Sequence, residues 1–91
     1  MKKVIWKYEL QPFRNSIMMP EGAIILTAHE QDGDICLWVE CDATKEEEMR
    51  IFKVISTGAT FNPDNGAQYK YISTVFLRRG EEVYHIYEVV L

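Results

Sequence analysis

The feature that most constrains this chain is an Asp32-Gly33 pair set between two apolar runs, residues 23–26 and 35–41. Asp-Gly between β-prone segments is a strong hairpin signal, because glycine adopts a positive φ without a Cβ clash. Pro20 has no backbone N–H to give to a ladder, so we expect it to precede the first arm of the hairpin. The sequence therefore predicts an antiparallel hairpin to which the other strands add.

Alternation of side-chain character with a period of two recurs in residues 3–10, 49–57, 69–78 and 83–91. Successive side chains of a strand point to opposite sides of its sheet, and no segment shows a sustained helical period. We therefore predict a single all-β domain, residues 1–91, of five to six antiparallel strands in meander order. A curved sheet, a small sandwich and a partly open barrel all fit this pattern.

The segments between these strands give signals of their own. Residues 11–16 are predicted to form a loop, with residues 17–19 pairing only briefly. In the polar segment after the hairpin, Thr44-x-x-Glu47 fits a capping box and predicts one helical turn. Residues 58–68 are the longest irregular segment and include an Asn65-Gly66 turn signal. Loops of this length are often functional.

Residues 23–26 are apolar on both sides of the predicted strand. This pattern indicates either a central strand or a strand whose outer face is covered by a partner. A domain of this size buries only a modest core. We therefore expect the chain to form a homo-oligomer.

The charge balance restricts the classes of partner. The chain has 10 Lys and Arg against 14 Asp and Glu, a net charge of −4. General nucleic-acid binding, which needs clustered cations, is therefore not expected. No run approaches the roughly 18 apolar residues of a membrane helix, and nothing resembles a secretory signal. The expected location is the cytoplasm, with no membrane association.

Catalytic and metal-binding patterns are missing from the sequence. Cys36 and Cys41 lie on opposite sides of one predicted strand, beyond disulfide reach, and are interpreted as small buried hydrophobes. His85 is interpreted as a half-buried strand histidine, with a general base or a ligand contact as the alternative. No nucleophile, phosphate-loop or zinc motif is present. We expect a protein that is not an enzyme and has no metal or cofactor.

A ligand site is predicted where the long loop meets the fifth predicted strand. Tyr69 and Tyr71, beside Lys70, can stack on a planar ring. The turn from Thr57 to Thr60 offers backbone N–H groups and hydroxyls that can hold a phosphate. The Asp32-Gly33 tip is excluded because its acidic neighbours repel anions. The predicted ligand-binding residues are Thr57, Gly58, Thr60, Tyr69, Lys70, Tyr71 and Arg78.

A set of short motifs spans nearly the whole chain. They are Trp6-Lys-Tyr-Glu-Leu10, Met19-Pro-x-Gly-Ala-x-Ile-Leu26, Gln31-Asp-Gly33, Leu37-Trp38, Phe52 followed by Thr57-Gly58, Tyr71-Ile72-x-Thr74-Val75 and Tyr84-His-Ile-Tyr-Glu88. In order and spacing they resemble a family of small phage and prophage proteins that carry a domain of unknown function. The chain departs from that pattern at Ser73, where a glycine is expected.

The resemblance implies a phage accessory protein acting in the host bacterial cytoplasm. By analogy with small oligomeric phage proteins, the leading hypothesis is a non-enzymatic sponge that sequesters cyclic nucleotide signals of anti-phage defence. The anionic nucleotide would lie at subunit interfaces. The alternative is a protein-binding module that inhibits a host factor through its acidic surface. An enzyme acting on cyclic nucleotides is the third hypothesis.

Overall fold

Seven β-strands and one short 3₁₀ turn make up the computed structural model, which describes residues 2–63 and 66–91. The strands are β1 (Val4–Leu10), β2 (Phe13–Pro20), β3 (Ile24–Gln31), β4 (Asp34–Cys41), β5 (Glu47–Ser56), β6 (Gln68–Leu77) and β7 (Glu82–Val90), with the 3₁₀ turn at Arg78–Gly80. Asn65 of the predicted Asn65-Gly66 turn lies outside the described residues. No described helix has the length and apolarity needed to cross a membrane.

The predicted hairpin is confirmed. Asp32 (φ 52°) and Gly33 (φ 87°) form a two-residue connection between β3 and β4. Positive φ at both central residues is the geometry of a type I′ turn, which matches the twist of the flanking strands. Glu30 Oε2 accepts a hydrogen bond from the Gly33 backbone N–H at 2.6 Å. The side chain before the turn therefore helps to hold it.

The strands form two antiparallel sheets, with the orders β1-β4-β3 and β2-β5-β7-β6. The predicted all-β antiparallel fold is confirmed, and the arrangement is sandwich-like and not a closed barrel. The molecule is 16 Å across its thinnest direction, as expected for two sheets about 10 Å apart. The strands number seven, and their order is not a meander, because β1 pairs with β4 and β2 pairs with β5.

The extra strand is β2, which occupies most of the segment predicted as a loop. The chain leaves one sheet and enters the other across Gln11 and Pro12. Asn15, which is buried, holds this corner: its side chain accepts from the Gln11 N–H at 2.7 Å and donates to the Gln11 carbonyl at 2.9 Å. Phe13 adopts a positive φ of 70° there. This local bonding turns β2 away from β1, which alternation alone does not reveal.

Two further expectations are corrected. The strand containing residues 24–26 is β3, an edge strand of its sheet and not a central one. The predicted helical turn is a tight turn, because the Asp42 carboxylate accepts from the Thr44 N–H at 3.0 Å and from the Thr44 hydroxyl at 2.6 Å. Such an aspartate turn competes with helix formation. Glu47, the last residue of the predicted capping box, already belongs to β5.

The core lies between the two sheets. Its fully buried side chains are Met19, Leu37, Val39, Phe52 and Ile86. The interpretation of the cysteines as buried hydrophobes is confirmed: Cys41 joins this core, and Cys36 is buried on the other side of β4. Each of the two faces of β4 therefore buries a cysteine.

Polar contacts join the sheets where β3 approaches β6. Ser73 Oγ accepts from the Ala28 N–H at 3.0 Å and lies 3.2 Å from the Thr27 hydroxyl. Ser73 is not among the residues with positive φ, so its backbone does not require the glycine that the motif resemblance leads one to expect. Arg50 donates to both carboxylate oxygens of Glu88 and, at 2.8 Å, to the Ala23 carbonyl that leads into β3. The Glu88 hydrogen bonds raise the pKa of the Arg50 guanidinium.

Candidate functional site

Four aromatic rings gather on the outward side of the four-stranded sheet. Tyr69 and Tyr71 come from β6, Tyr87 comes from β7, and Phe61 comes from the loop between β5 and β6. The ring centroids of neighbouring pairs are 5.8–6.0 Å apart. Phe61 lies nearly parallel to Tyr69, at an interplanar angle of 15°. We call this surface the aromatic face.

The strand register explains why these rings meet. One row of cross-strand partners runs through all four strands: Arg14 of β2, Lys53 of β5, Tyr87 of β7 and Tyr71 of β6. Partners in antiparallel strands point to the same side of a sheet and lie close enough for their side chains to interact. The row therefore places two cations at one end of the aromatic face and two tyrosines at the other.

The loop after β5 returns across this surface. Gly58 has a φ of 89°, a conformation that favours glycine, and the Ala59 N–H donates to the Ser56 carbonyl at 3.1 Å. Phe61 then stacks on Tyr69. The predicted functional role of the loop stays a prediction, but its first half supplies one of the four rings.

Cations lie beside the cluster of rings on the aromatic face. Lys53 Nζ lies 5.3 Å from the centroid of the Tyr69 ring, within the range of a cation–π interaction. The outward residues around the cluster are Arg14, Ser16, Ile51, Lys53, Ile55, Tyr69, Tyr71, Thr74, His85, Tyr87 and Val89. None of these is acidic, in a chain with a net charge of −4. Lys53 forms no ion pair with another described residue.

A groove of about 420 Å³ borders the aromatic face where β2 begins. Arg14 and Lys53 supply its cations, Phe13 and Phe61 supply exposed ring surface, and Thr60 supplies a hydroxyl. Cations beside aromatic rings are the combination that binds planar anionic molecules, because the rings stack and the cations pair with acidic groups.

A chain of hydrogen bonds fixes the side chains at the other end of the row. The Tyr71 hydroxyl lies 2.6 Å from Thr74 Oγ1, which lies 3.1 Å from His85 Nδ1. His85 Nε2 lies 2.8 Å from Thr57 Oγ1. The interpretation of His85 as a half-buried, hydrogen-bonded strand histidine is confirmed. Both ring nitrogens are occupied by hydroxyl groups, so the histidine orients its neighbours.

The Tyr69 hydroxyl differs from these groups. It is buried and has no hydrogen-bond partner among the described residues. An unsatisfied buried hydroxyl costs about 1–3 kcal/mol relative to a paired one. This oxygen is therefore a candidate contact for a polar group of a ligand.

The predicted site residues are divided by the structure. Thr57, Thr60, Tyr69 and Tyr71 lie on the aromatic face or at its rim, and Gly58 makes the turn that leads to it.

The other two predicted residues lie elsewhere. Lys70 is the cross-strand neighbour of Glu88 in the register of β6 and β7. It lies on the opposite side of the sheet, near the Arg50–Glu88 ion pair. Arg78 lies at the far end of β6, where it forms an exposed ion pair with Glu82 at 3.2 Å. Lys70 faces the side of the sheet opposite Tyr69 and Tyr71, because consecutive strand residues face opposite sides, and its predicted part in ligand binding stays a prediction.

Phe61, Tyr87 and Lys53 were not among the predicted site residues. The position of Tyr87 could have been predicted from the sequence, because a hairpin between β6 and β7 places it opposite Tyr71. The contact of Phe61 depends on the path of the loop, for which the sequence offers no periodicity.

The environment of the two thiols disfavours the reactive thiolate form. Burial raises the pKa of the Cys36 and Cys41 thiols, the direction opposite to that of a reactive cysteine. Within residues 2–63 and 66–91, no three His, Cys, Asp or Glu side chains are grouped to hold a metal ion.

The fold and the site define a small antiparallel β-sandwich with aromatic rings on the outward face of its four-stranded sheet. The chain belongs to the DUF7352 family, a domain of unknown function whose family model matches residues 1–91. No curated protein and no solved structure gives a significant match.

Proposed function

We propose that this chain is a non-catalytic nucleotide-binding protein and that the nucleotide binds on the aromatic face. The observation that carries the proposal is the position of Lys53 over the Tyr69 ring, within a cluster of four rings whose described outward strand neighbours include no acidic residue. This arrangement supplies both kinds of contact that a nucleotide needs, a stacking surface and a cation.

Each part of a nucleotide has a matching group. A base stacks on Tyr71 or Phe61, which are 59 % and 41 % exposed; one such stack is worth about 1–3 kcal/mol. A phosphate pairs with Lys53 at the groove, which Arg14 also lines. A polar group of the nucleotide satisfies the Tyr69 hydroxyl.

Binding without turnover is supported by the sequence, which contains no nucleophile, phosphate-loop or zinc motif. Both thiols are buried and have raised pKa values. The net charge of −4 disfavours long nucleic acids, whose binding needs many cations. A small nucleotide needs only one or two.

The motif resemblance to small phage and prophage proteins supports a biological role for such binding. In this proposal, the protein acts in the host bacterial cytoplasm as a sponge, which sequesters cyclic nucleotide signals of anti-phage defence. The competing role is inhibition of a host protein through the acidic surface. The exposed carboxylates of Asp32 and Asp34 at the hairpin tip belong to that surface.

An uptake and release experiment tests the proposal. The protein is incubated with a panel of cyclic mono-, di- and trinucleotides, freed of unbound nucleotide, and then denatured by heat. We expect one class of nucleotide to be retained and released intact, and the Tyr69→Ala variant to retain much less. Release of a degraded nucleotide would show an enzyme. Retention of none would contradict nucleotide binding and favour the protein-binding role.

A further inference from the structure

Four strand edges bound the two sheets, and three of them are protected. The β3 and β6 edges face each other and are linked through Ser73. The β2 edge begins at Phe13, with its positive φ, and ends at Pro20, which has no N–H to donate. Proline and irregular backbone are common devices that protect an edge from pairing with another chain.

The fourth edge, that of β1, has no such protection. It is seven residues long and pairs with β4 on one side only. Its backbone conformation is regular, and it contains no proline. Val4, Ile5 and Trp6 are 37 %, 57 % and 38 % exposed. A regular apolar edge strand is a template for a further strand.

The charges of this strand suit a second copy of the same strand. In an antiparallel pair, opposed residues must face the same side, so the possible registers differ by two residues. With Trp6 opposite Trp6 of the second copy, Lys3 of each copy lies opposite Glu9 of the other. A shift of two residues in one direction opposes Lys7 to Lys7. A shift in the other direction opposes Lys3 to Lys7.

The groups that would meet are exposed. Lys3 forms an ion pair with Glu40 at 3.5 Å, and its side chain is 56 % exposed. Glu9 is exposed, accepts a hydrogen bond from Gln11 Nε2 at 3.3 Å, and forms no ion pair with another described residue. Opposite charges directly across a strand pair stabilise it, and like charges destabilise it.

We propose that two copies of this chain associate through their β1 strands, antiparallel and with Trp6 opposite Trp6, to form one continuous six-stranded sheet. The two-fold axis passes between the tryptophans, and two symmetric Lys3–Glu9 pairs fix the register. A closed two-fold contact of this kind uses the same surface on both copies and does not propagate into a fibre. It leaves the aromatic face of each copy open.

Charge reversal tests the interface and its register. By sedimentation equilibrium on the full chain, we expect a dimer. Lys3→Glu and Glu9→Lys each turn two attractive pairs into two repulsive ones, so each is expected to weaken dimerisation by about tenfold or more. The double variant, Lys3→Glu with Glu9→Lys, restores the opposite charges and is expected to recover most of the affinity.

The matched control is Lys7→Glu, which changes the same charge in a position that faces Ile5 of the second copy and is expected to have little effect. Circular dichroism checks that each variant is folded. If Lys3→Glu is unfolded because Glu40 is close to it, Glu9→Lys provides the same test without that neighbour. A monomeric parent protein, single reversals without effect, or a double variant no better than the single ones would each overturn the proposal.

Discussion

The two faces of the four-stranded sheet are built from the same alternating strands but differ in how their side chains are satisfied. On the inward face, Phe52 and Ile86 are fully buried against the second sheet. On the outward face, Tyr71 is 59 % exposed and the Tyr69 hydroxyl has no partner among the described residues. Alternation thus creates two rather apolar faces, and the second sheet covers only one. The uncovered face is the one on which we propose that the nucleotide binds.

The largest effect should separate the two faces by their contribution to stability. Phe52→Ala removes a fully buried ring and is expected to lower the free energy of unfolding by about 3–5 kcal/mol. Tyr71→Ala, on the exposed face, is expected to cost about 1 kcal/mol or less, mainly the contact with Tyr87. Urea denaturation measures both. Equal losses would show that the aromatic face is a structural part of the core.

The next effect concerns affinity for the nucleotide retained in the uptake experiment. Tyr69→Ala removes a ring that contacts Phe61, Tyr87 and Lys53. Because Phe61 stacks on Tyr69, the variant also disturbs the ring on which the base stacks. Loss of that base stack, worth about 1–3 kcal/mol, predicts roughly 5- to 150-fold weaker binding. Phe76→Ala is the matched control, since Phe76 is exposed near the other end of β6. Isothermal titration should show nearly unchanged affinity for it, and a similar loss in both variants would place the site elsewhere.

Two lysines provide a comparison across the sheet. Lys53 lies on the aromatic face. Lys70 lies on the opposite side of the sheet, as the cross-strand neighbour of Glu88. We expect Lys53→Gln to weaken nucleotide binding by about tenfold through the loss of one contact with a phosphate. Lys70→Gln should leave the affinity nearly unchanged. The reverse order of effects would support the original sequence prediction around Lys70 and contradict the assignment of the face.

The smallest effect concerns the three-stranded sheet, where both faces of β4 bury a thiol. Burial raises the pKa of Cys36 and Cys41, so the folded protein holds these protons more tightly than the unfolded chain does. This contribution to stability is fully present below the unfolded thiol pKa of about 8.5 and is lost as the pH rises above it. The free energy of unfolding should be slightly lower at a pH above the thiol pKa than at pH 7. This difference should be smaller in Cys36→Ala. Rapid thiol labelling of the native protein at neutral pH would contradict burial.

The fold was predictable as far as local pattern determines it. Alternation identified β1, β5, β6 and β7, and Asp32-Gly33 identified the β3–β4 hairpin, whereas most of β2 was predicted as a loop. The pairing of β2 with β5 was not predictable, because it depends on the corner that Asn15 holds between the two sheets. The same pattern also does not say which of two apolar faces becomes the core, since that depends on where the second sheet packs.

The site was predictable in part for the same reason. Tyr69, Tyr71 and Thr57 were identified by residue type and by their place next to the long loop. Lys70 was assigned to them by proximity in sequence, although strand geometry turns it to the other side. Lys53 is distant in sequence from the tyrosines and reaches them only through the pairing of β5 with β7.

The most direct test of the central claim uses the five tyrosines of the chain. Tyr69, Tyr71 and Tyr87 lie on the aromatic face, Tyr84 lines the neighbouring groove, and Tyr8 packs against the core of the protein. In ¹⁹F NMR of the fluorotyrosine-labelled protein, titration with the retained cyclic nucleotide should shift the resonances of the first three tyrosines and leave that of Tyr8 nearly unchanged. Assignment follows from single Tyr→Phe variants. A shift confined to Tyr8, or no shift at saturating nucleotide, would contradict binding at the aromatic face.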